Sequence, residues 1–492
     1  MGVMRFQLGS PRPSSSWPEA SCVYMTGMDG RVHPTQCEWE ADTLSVRRQQ
    51  NDSAKLHIPF PVAGFGTPVV TTTSLPERDD AWLLAFELAR GKLSEIREQA
   101  FGWEQARMQI PDRFRVLTQE AFRFFAKAGT SRNDRATCHE LACQSLNRSL
   151  QASAILTDSY VFQRDASRRA SASASPTLLG ATLLPEILGT PSEKRFFDTF
   201  NAASLPFEWR RIEAVEGQWE WEPLDRAVDA CQHHRLLMRC GPLIDLGPNG
   251  LPAWLKPWEN DPLNLSSFVC DFVESAVTHY QGRVRIWEVA AGSQIGGAIA
   301  LSEEHRLALV ARVLEAASRT DADAQFFVRV DRPWGEYQVT GQSRLSPYQL
   351  VDALFRSNLG LSGVNLEIAV GYGKRGSWYR DPLAFSRMID SWSTLGVPLH
   401  VTLACPSQPV LSETDPDLAT AWWGGPNGPS EQAQADWLEK YLPVIMAKPA
   451  VTGVFLETFR DTANPRYPLA GLLDLQGNPK LSYETVRKQR SK

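Results

Sequence analysis

The sequence has no uninterrupted apolar run of 18 or more residues, the length a helix needs to cross a bilayer. Its first ten residues hold one arginine and no apolar stretch of the kind a secretory leader carries, so no such leader is expected. Eight cysteines are present, Cys22, Cys37, Cys138, Cys143, Cys231, Cys240, Cys270 and Cys405, with no CxxC pair among them. In a chain this long they read as reduced thiols, and a cytoplasmic location is expected. Cys22 and Cys37 would close a loop only in an exported protein. No H-E-x-x-H, Walker A or G-x-S-x-G motif occurs, and the eight histidines are scattered. No metal and no cofactor are therefore expected. Against 56 acidic residues stand 51 Lys and Arg, a net charge of −5. That lacks the basic footprint of a nucleic-acid binder. No membrane partner is expected either, and the sequence leaves the oligomeric state open.

What is present is a globular composition, 43% hydrophobic and 22% charged. Collagen-like, wholly disordered and coiled-coil chains are excluded on that ground. Sixteen tryptophans either line a cleft for sugar or aromatic ligands or fill a large core. Residues 1–75 alternate short extended runs with turns. Asp29-Gly30, between Val23–Met25 and Val32, has the form of a hairpin. A small all-β module, sandwich-like, is expected there, either binding carbohydrate or packing on its neighbour. Residues 76–170 change texture. Leu84, Leu88 and Leu93, then Phe114, Leu117 and Ala121, then Leu146 and Leu150 recur at helical spacing. They predict two to four amphipathic helices and a small-residue linker ending at Pro176.

Residues 176–490 alternate short apolar runs with helical stretches. The runs are Leu178–Leu184, Leu236–Arg239, Val284–Val289, Gln325–Val330, Gly363–Val370, Leu399–Ala404 and Thr452–Glu457. An eighth is expected near Phe197–Ala202. Eight strands alternating with helices predict an α/β fold closed as a C-terminal (β/α)8 TIM barrel. The open doubly wound sheet is the alternative.

From about Phe196 to Thr485 the motifs fall in a familiar order. Phe200-Asn-Ala-Ala-Ser precedes Trp209-Arg-Arg-Ile-Glu213 and Gly217-Gln-Trp-Glu-Trp221. Then come Leu251-Pro-Ala-Trp-Leu255, Tyr280-Gln-Gly-Arg-Val284 with Trp287-Glu-Val289, and Pro479-Lys-Leu-Ser-Tyr483. This series resembles family 10 of the glycoside hydrolases, the β-1,4-xylanases. The resemblance implies the barrel, and it also marks a departure. The family's general acid/base is the Glu of W-D-V-V-N-E. Here the run is Trp287-Glu-Val-Ala-Ala-Gly292, with Gly292 in that place. The family's nucleophile is the Glu of I-T-E-L-D. Here Val401-Thr-Leu403-Ala404 puts Leu403 there. The sugar-holding R-G-H and Q-x-H runs correspond to Arg239-Cys240-Gly241 and Glu367-Ile368-Ala369. Neither glycine nor leucine can donate a proton or attack an anomeric carbon.

Other acids stand at the expected C-terminal ends of strands, where catalytic groups of such barrels project. They are Glu288, Asp331, Glu367 and Glu457. A relocated catalytic set of Glu367, Glu457 and Asp331 is one reading, with Glu288 as a substrate-binding group. Ion pairs with Arg329, Arg332, Arg375 or Arg460 are the structural one. Trp334, Tyr372 and Trp378 are candidate substrate-binding aromatics by their place after strand ends. Trp422 and Trp423 lie in a long loop, residues 406–429, of a length that is usually functional or disordered. Trp287 is expected in the core. Three functions are weighed. The first is a degenerate xylanase-like barrel that binds a β-linked glycan or sugar-like ligand with little or no turnover. The second is an active O-glycoside hydrolase with relocated carboxylates. The third is a non-catalytic assembly protein.

Overall fold

The computed structural model describes residues 2–10, 17, 22–170, 177–410, 418, 428–463 and 466–490. Residues 171–176 of the expected linker, and Trp422 and Trp423 of the long loop, lie outside the described residues.

Two four-stranded sheets open the chain. Strands β1 (Gly2–Gln7), β2 (Tyr24–Thr26), β3 (Val32–His33) and β4 (Thr35–Glu40) come first, followed by β5 (Thr43–Arg48), β6 (Lys55–Pro59), β7 (Val69–Thr71) and β8 (Trp82–Leu83). They pair as β4-β5-β1-β8 and β3-β2-β6-β7. All the pairings are antiparallel except β1 with β8. Alternation along β1 buries Met4 and Phe6, as a one-faced strand requires. The Asp29-Gly30 turn joins β2 to β3, with Gly30 in the left-handed region at φ 76°. Neither Cys22 nor Cys37 forms a disulfide among the described residues.

Three helices follow: α1 (Leu84–Gln105), α2 (Asp112–Thr130) and α3 (Arg135–Ala170). The spaced apolar positions of the sequence form their shared core. Leu93, Ile96, Phe114, Leu117, Ala121 and Leu156 are all buried there.

The rest of the chain alternates strand and helix, with β9 (Leu178–Thr182), α4 (Pro191–Thr199), β10 (Ala202–Pro206), α5 (Trp209–Ile212), α6 (Glu222–His233), β11 (Leu237–Gly241), the short β12 (Ile244–Asp245) and α7 (Pro262–His279). Then come β13 (Ile286–Ala291), α8 (Glu303–Thr320), β14 (Gln325–Asp331), α9 (Pro347–Arg356), β15 (Leu361–Ala369), α10 (Pro382–Ser393), β16 (Leu399–Ala404), α11 (Glu431–Met446), β17 (Val451–Leu456) and α12 (Leu481–Arg490). Strands β9, β10, β11 and β13 to β17 pair in parallel, and β17 returns to β9. The ring of eight is closed, a (β/α)8 barrel behind a small all-β module and a helical segment. The strand expected at Phe197–Ala202 begins instead at Ala202. Phe197 lies in α4, and Phe196 and Phe200 pack edge-on against Phe459. A short apolar run reads equally as strand or helix face, and here the helix takes it. Trp287 is fully buried in the main core.

Both N-terminal parts are fastened to the barrel through adjacent residues ahead of α10. Arg380 donates to the Tyr24 hydroxyl at 2.6 Å and to Glu336 at 2.8 Å, with all three groups buried. Asp381 accepts from Lys92 of α1 at 2.8 Å and from Ser153 of α3 at 2.6 Å, also buried. The Val69 amide donates to the Tyr379 carbonyl at 2.7 Å. Leu383 and Ala447 of the barrel share a core with Trp103 and Tyr160 of the helices. Among the described residues no helix is long and apolar enough to cross a membrane.

Candidate functional site

Successive side chains of a strand point to opposite faces, so each barrel strand sends every second residue toward the axis. In β14 those residues are Arg329 and Asp331, and in β15 they are Asn365 and Glu367. Register places Arg329 beside Asn365 and Asp331 beside Glu367. Glu288 enters from β13, Arg239 from β11, Thr402 from β16 and Ser204 from β10.

Arg329 is the hub. Its Nε donates to Glu288 at 2.6 Å and its Nη1 to Glu367 at 2.9 Å, and Nη1 also lies 3.8 Å from Glu457. Asn365 donates to the second oxygen of Glu288 at 2.5 Å and accepts from Thr402 at 2.9 Å. Arg239 donates to Ser204 and Thr402, each at 3.1 Å, with its guanidinium 3.9 Å above the Phe455 ring. The other oxygen of Glu367 takes the Tyr467 hydroxyl at 2.5 Å and Arg466 at 3.2 Å. The same Arg466 nitrogen lies 3.2 Å from Asp331. The second Asp331 oxygen accepts from the Gly292 amide at 3.0 Å.

These surroundings drive the acids apart. Burial pushes Asp331 up to about 7, the neighbouring Glu367 charge adds to the rise, and Arg466 and Arg329 oppose it. Burial also acts upward on Glu367, but Arg466, Arg329 and the Tyr467 hydroxyl outweigh it and hold that carboxyl below its ordinary range. Glu457 is displaced upward by burial against the pull of Arg329, with Glu367 adding its repulsion.

Above this floor opens a cleft of about 1230 Å³ at the C-terminal ends of the strands. Asp331 and Glu457 line it, together with Arg329 and Arg466. Glu288 and Glu367 lie beneath, 1% and 2% exposed. The sequence-derived aromatics separate. Trp378 lines the cleft and is wedged against Cys22 and Val69 of the N-terminal module. Trp334 lies behind the lining, under Arg380 at 4.2 Å and edge-on to Phe385. Tyr372 is buried, its hydroxyl donating to the Pro468 carbonyl at 2.8 Å. Arg332 donates to the Lys374 carbonyl and Arg460 to the Leu475 carbonyl, so neither arginine joins the carboxylate cluster through these bonds. Among the described residues no cluster of His, Cys, Asp and Glu could hold a metal ion.

The two positions singled out by resemblance are closed in different ways. Gly292 has φ 67°, and a Cβ there would come 2.3 Å from the Gly247 nitrogen. Backbone conformation and space both forbid a carboxyl side chain at that point. Leu403 is 1% exposed in the main core. Its neighbour Thr402 faces the axis, so Leu403 faces the surrounding helices.

Sequence reasoning missed two groups of contributors. Arg466 and Tyr467 reach the acids from the segment after β17, which carries no pattern pointing inward. Thr35, Gln36 and Cys37 of β4 line the same cleft, although they belong to the N-terminal sheets.

Residues 194–293 match the family model for glycosyl hydrolase family 10. Endo-1,4-beta-xylanase B of Thermotoga neapolitana is 21% identical over 295 residues, 57% of this chain and 77% of that protein. Endo-1,4-beta-xylanase A of Phanerodontia chrysosporium is 22% identical over 215 residues, covering 42% of this chain and 49% of its own length. Among solved structures, a family-10 endoxylanase retrieved from a sugarcane soil metagenome superposes with a TM-score of 0.50 at 14% identity, over 64% of this chain and 97% of that one. The C-terminal domain thus has the barrel fold of the family-10 xylanases and resembles them in sequence over part of its length.

Proposed function

We propose that this chain is a degenerate relative of the endo-β-1,4-xylanases, whose barrel binds a β-linked glycan or similar sugar ligand with little or no turnover. Hydrolysis needs two carboxyls on opposite sides of the scissile bond, one able to give a proton and the other ionised and free to act. The observation that carries the reading is the Arg329 hub. The most firmly ionised acid, Glu367, is covered and held by two arginines and a tyrosine. The two acids that line the cleft, Asp331 and Glu457, are both pushed toward the protonated form. Fold alone does not choose a function; the state of these groups does.

A second reading, an active hydrolase with relocated carboxylates, draws on one observation. Asp331 and Glu367 are adjacent and displaced in opposite directions, the pattern that separates acid from base in many enzymes. Calorimetric titration with xylo-oligosaccharides, run beside turnover assays on aryl β-xylosides and polymeric xylan, separates the two. Saturable binding without products is expected, and Trp378→Ala weakens it. Turnover abolished by Glu367→Gln or Glu457→Gln would establish the second reading instead.

A further inference from the structure

The cleft is not built by the barrel alone. Strand β4 is the edge of its sheet, hydrogen-bonded only to β5, and Thr35 and Gln36 of that strand line the barrel mouth. The placement is fixed. Arg380 ties the module's Tyr24 to Glu336. Pro34 packs where a Cβ at Gly341 would come within 3.3 Å, and Arg31 donates to the Arg344 carbonyl. Across the seam stands the turn Glu336–Thr340, from which Glu336 and Tyr337 also line the cleft.

Three polar atoms at this seam are buried and make no hydrogen bond among the described residues: Thr35 Oγ1, Glu336 Oε2 and the Tyr337 hydroxyl. Tyr337 is 7% exposed and Glu336 5%. Buried polar groups are seldom left unpaired, and three of them on residues that line one cleft leave partners for a bound molecule to supply. Their chemistry is specific. Glu336 Oε2 only accepts, while the threonine and tyrosine hydroxyls both donate and accept. The charge of Glu336 is already matched by Arg380, so an uncharged partner fits better than an ionic one.

We propose that the seam between β4 and the turn Glu336–Thr340 is a subsite for one neutral sugar ring, so that the N-terminal module forms a wall of the glycan cleft. This rests on the glycan-binding reading above and names the part of the site that holds one end of the ligand. Adjacent ring hydroxyls offer the alternating donors and acceptors that the three atoms lack.

The test is calorimetric titration of the full chain with xylotriose, with a thermal melt of each variant. Thr35→Val and Tyr337→Phe each weaken binding about three- to tenfold, the scale of one hydrogen bond. Gln36→Trp, which fills the seam from an exposed position, weakens it more than about tenfold. Glu38→Gln, exposed on the same strand but outside the cleft lining, leaves affinity unchanged. Tyr337→Phe melts at or above the wild-type temperature, because the lost hydroxyl bonds nothing in the protein. A lower melt would assign that hydroxyl an internal partner and overturn the subsite. Wild-type affinity in Thr35→Val, Tyr337→Phe and Gln36→Trp would also overturn it while leaving glycan binding intact. If the wild-type chain binds no xylo-oligosaccharide at all, the glycan reading falls and the subsite with it.

Discussion

The ends of β13 and β16 and the ends of β14, β15 and β17 form two unlike regions of one barrel mouth. In the first stand Gly292 and Leu403, which the resemblance sets at the family's acid positions, one sealed by backbone and the other turned into the core. In the second, Asp331, Glu367 and Glu457 crowd together with Glu288 below them, and arginines stand among them. Carboxylates are therefore not scarce here. They stand on or just after β13, β14, β15 and β17 and share Arg329 and Arg466 as ion-pair partners.

The contrast can be broken most directly at its hub. Arg329→Met leaves Glu288 and Glu367 buried without their common partner. Stability in urea is expected to fall by about 3–5 kcal/mol, the cost of stranding a buried charge. Wild-type stability in this variant would mean that the acids are neutral and the hub ornamental. The sealed region is tested by Gly292→Glu, which puts the family's carboxyl back in its place. A left-handed residue and a backbone collision together are expected to cost about 2–4 kcal/mol, with no xylan cleavage gained. Appearance of reducing sugar from xylan in that variant would show the position to be open after all.

The smallest effect is in pH dependence. Asp331 has a higher pKa folded, about 7, than its ordinary 3.8, so the native state holds its proton more tightly. Its stabilising contribution is whole below about pH 4 and is lost as pH rises toward 7. Glu367, held low, contributes in the opposite sense above its ordinary range and loses that contribution on acidification. In Asp331→Asn the Glu367 and Glu457 trends remain and the Asp331 trend is gone. Between pH 5 and pH 8 the variant is therefore expected to gain on the wild type by about 2–3 kcal/mol, roughly 1.4 kcal/mol per pH unit until Asp331 ionises near 7. Parallel urea curves at the two pH values measure it. No change in the difference would place Asp331 in an ordinary, ionised state.

Much of this architecture is legible in the sequence, because alternating apolar runs and helical stretches specify a barrel largely by themselves. The eighth strand is misplaced where phenylalanines 196, 197 and 200 suit a helix face as well as a strand. The acids at strand ends are readable as a group, and so is Arg329 as their partner, since all lie on predicted inward positions. Arg466, Tyr467 and the β4 residues are not. Their places depend on how a loop returns across the barrel mouth and how a sheet roughly three hundred residues upstream docks beside it, and no local periodicity encodes either. Gly292 illustrates the same limit. Its replacement of an acid is plain in the sequence, whereas the collision that keeps any side chain out depends on Gly247 from another strand's loop.

Arg380 and Asp381 reach in different directions from neighbouring positions, one to the sheets through Tyr24 and the other to α1 and α3 through Lys92 and Ser153. Cutting the gene just ahead of β9 would strand Asp381 without Lys92 and Ser153, leave Arg380 with Glu336 but without Tyr24, and bare the apolar patch around Leu383 and Ala447. The barrel's outer surface at this point is consequently finished by the two segments that precede it.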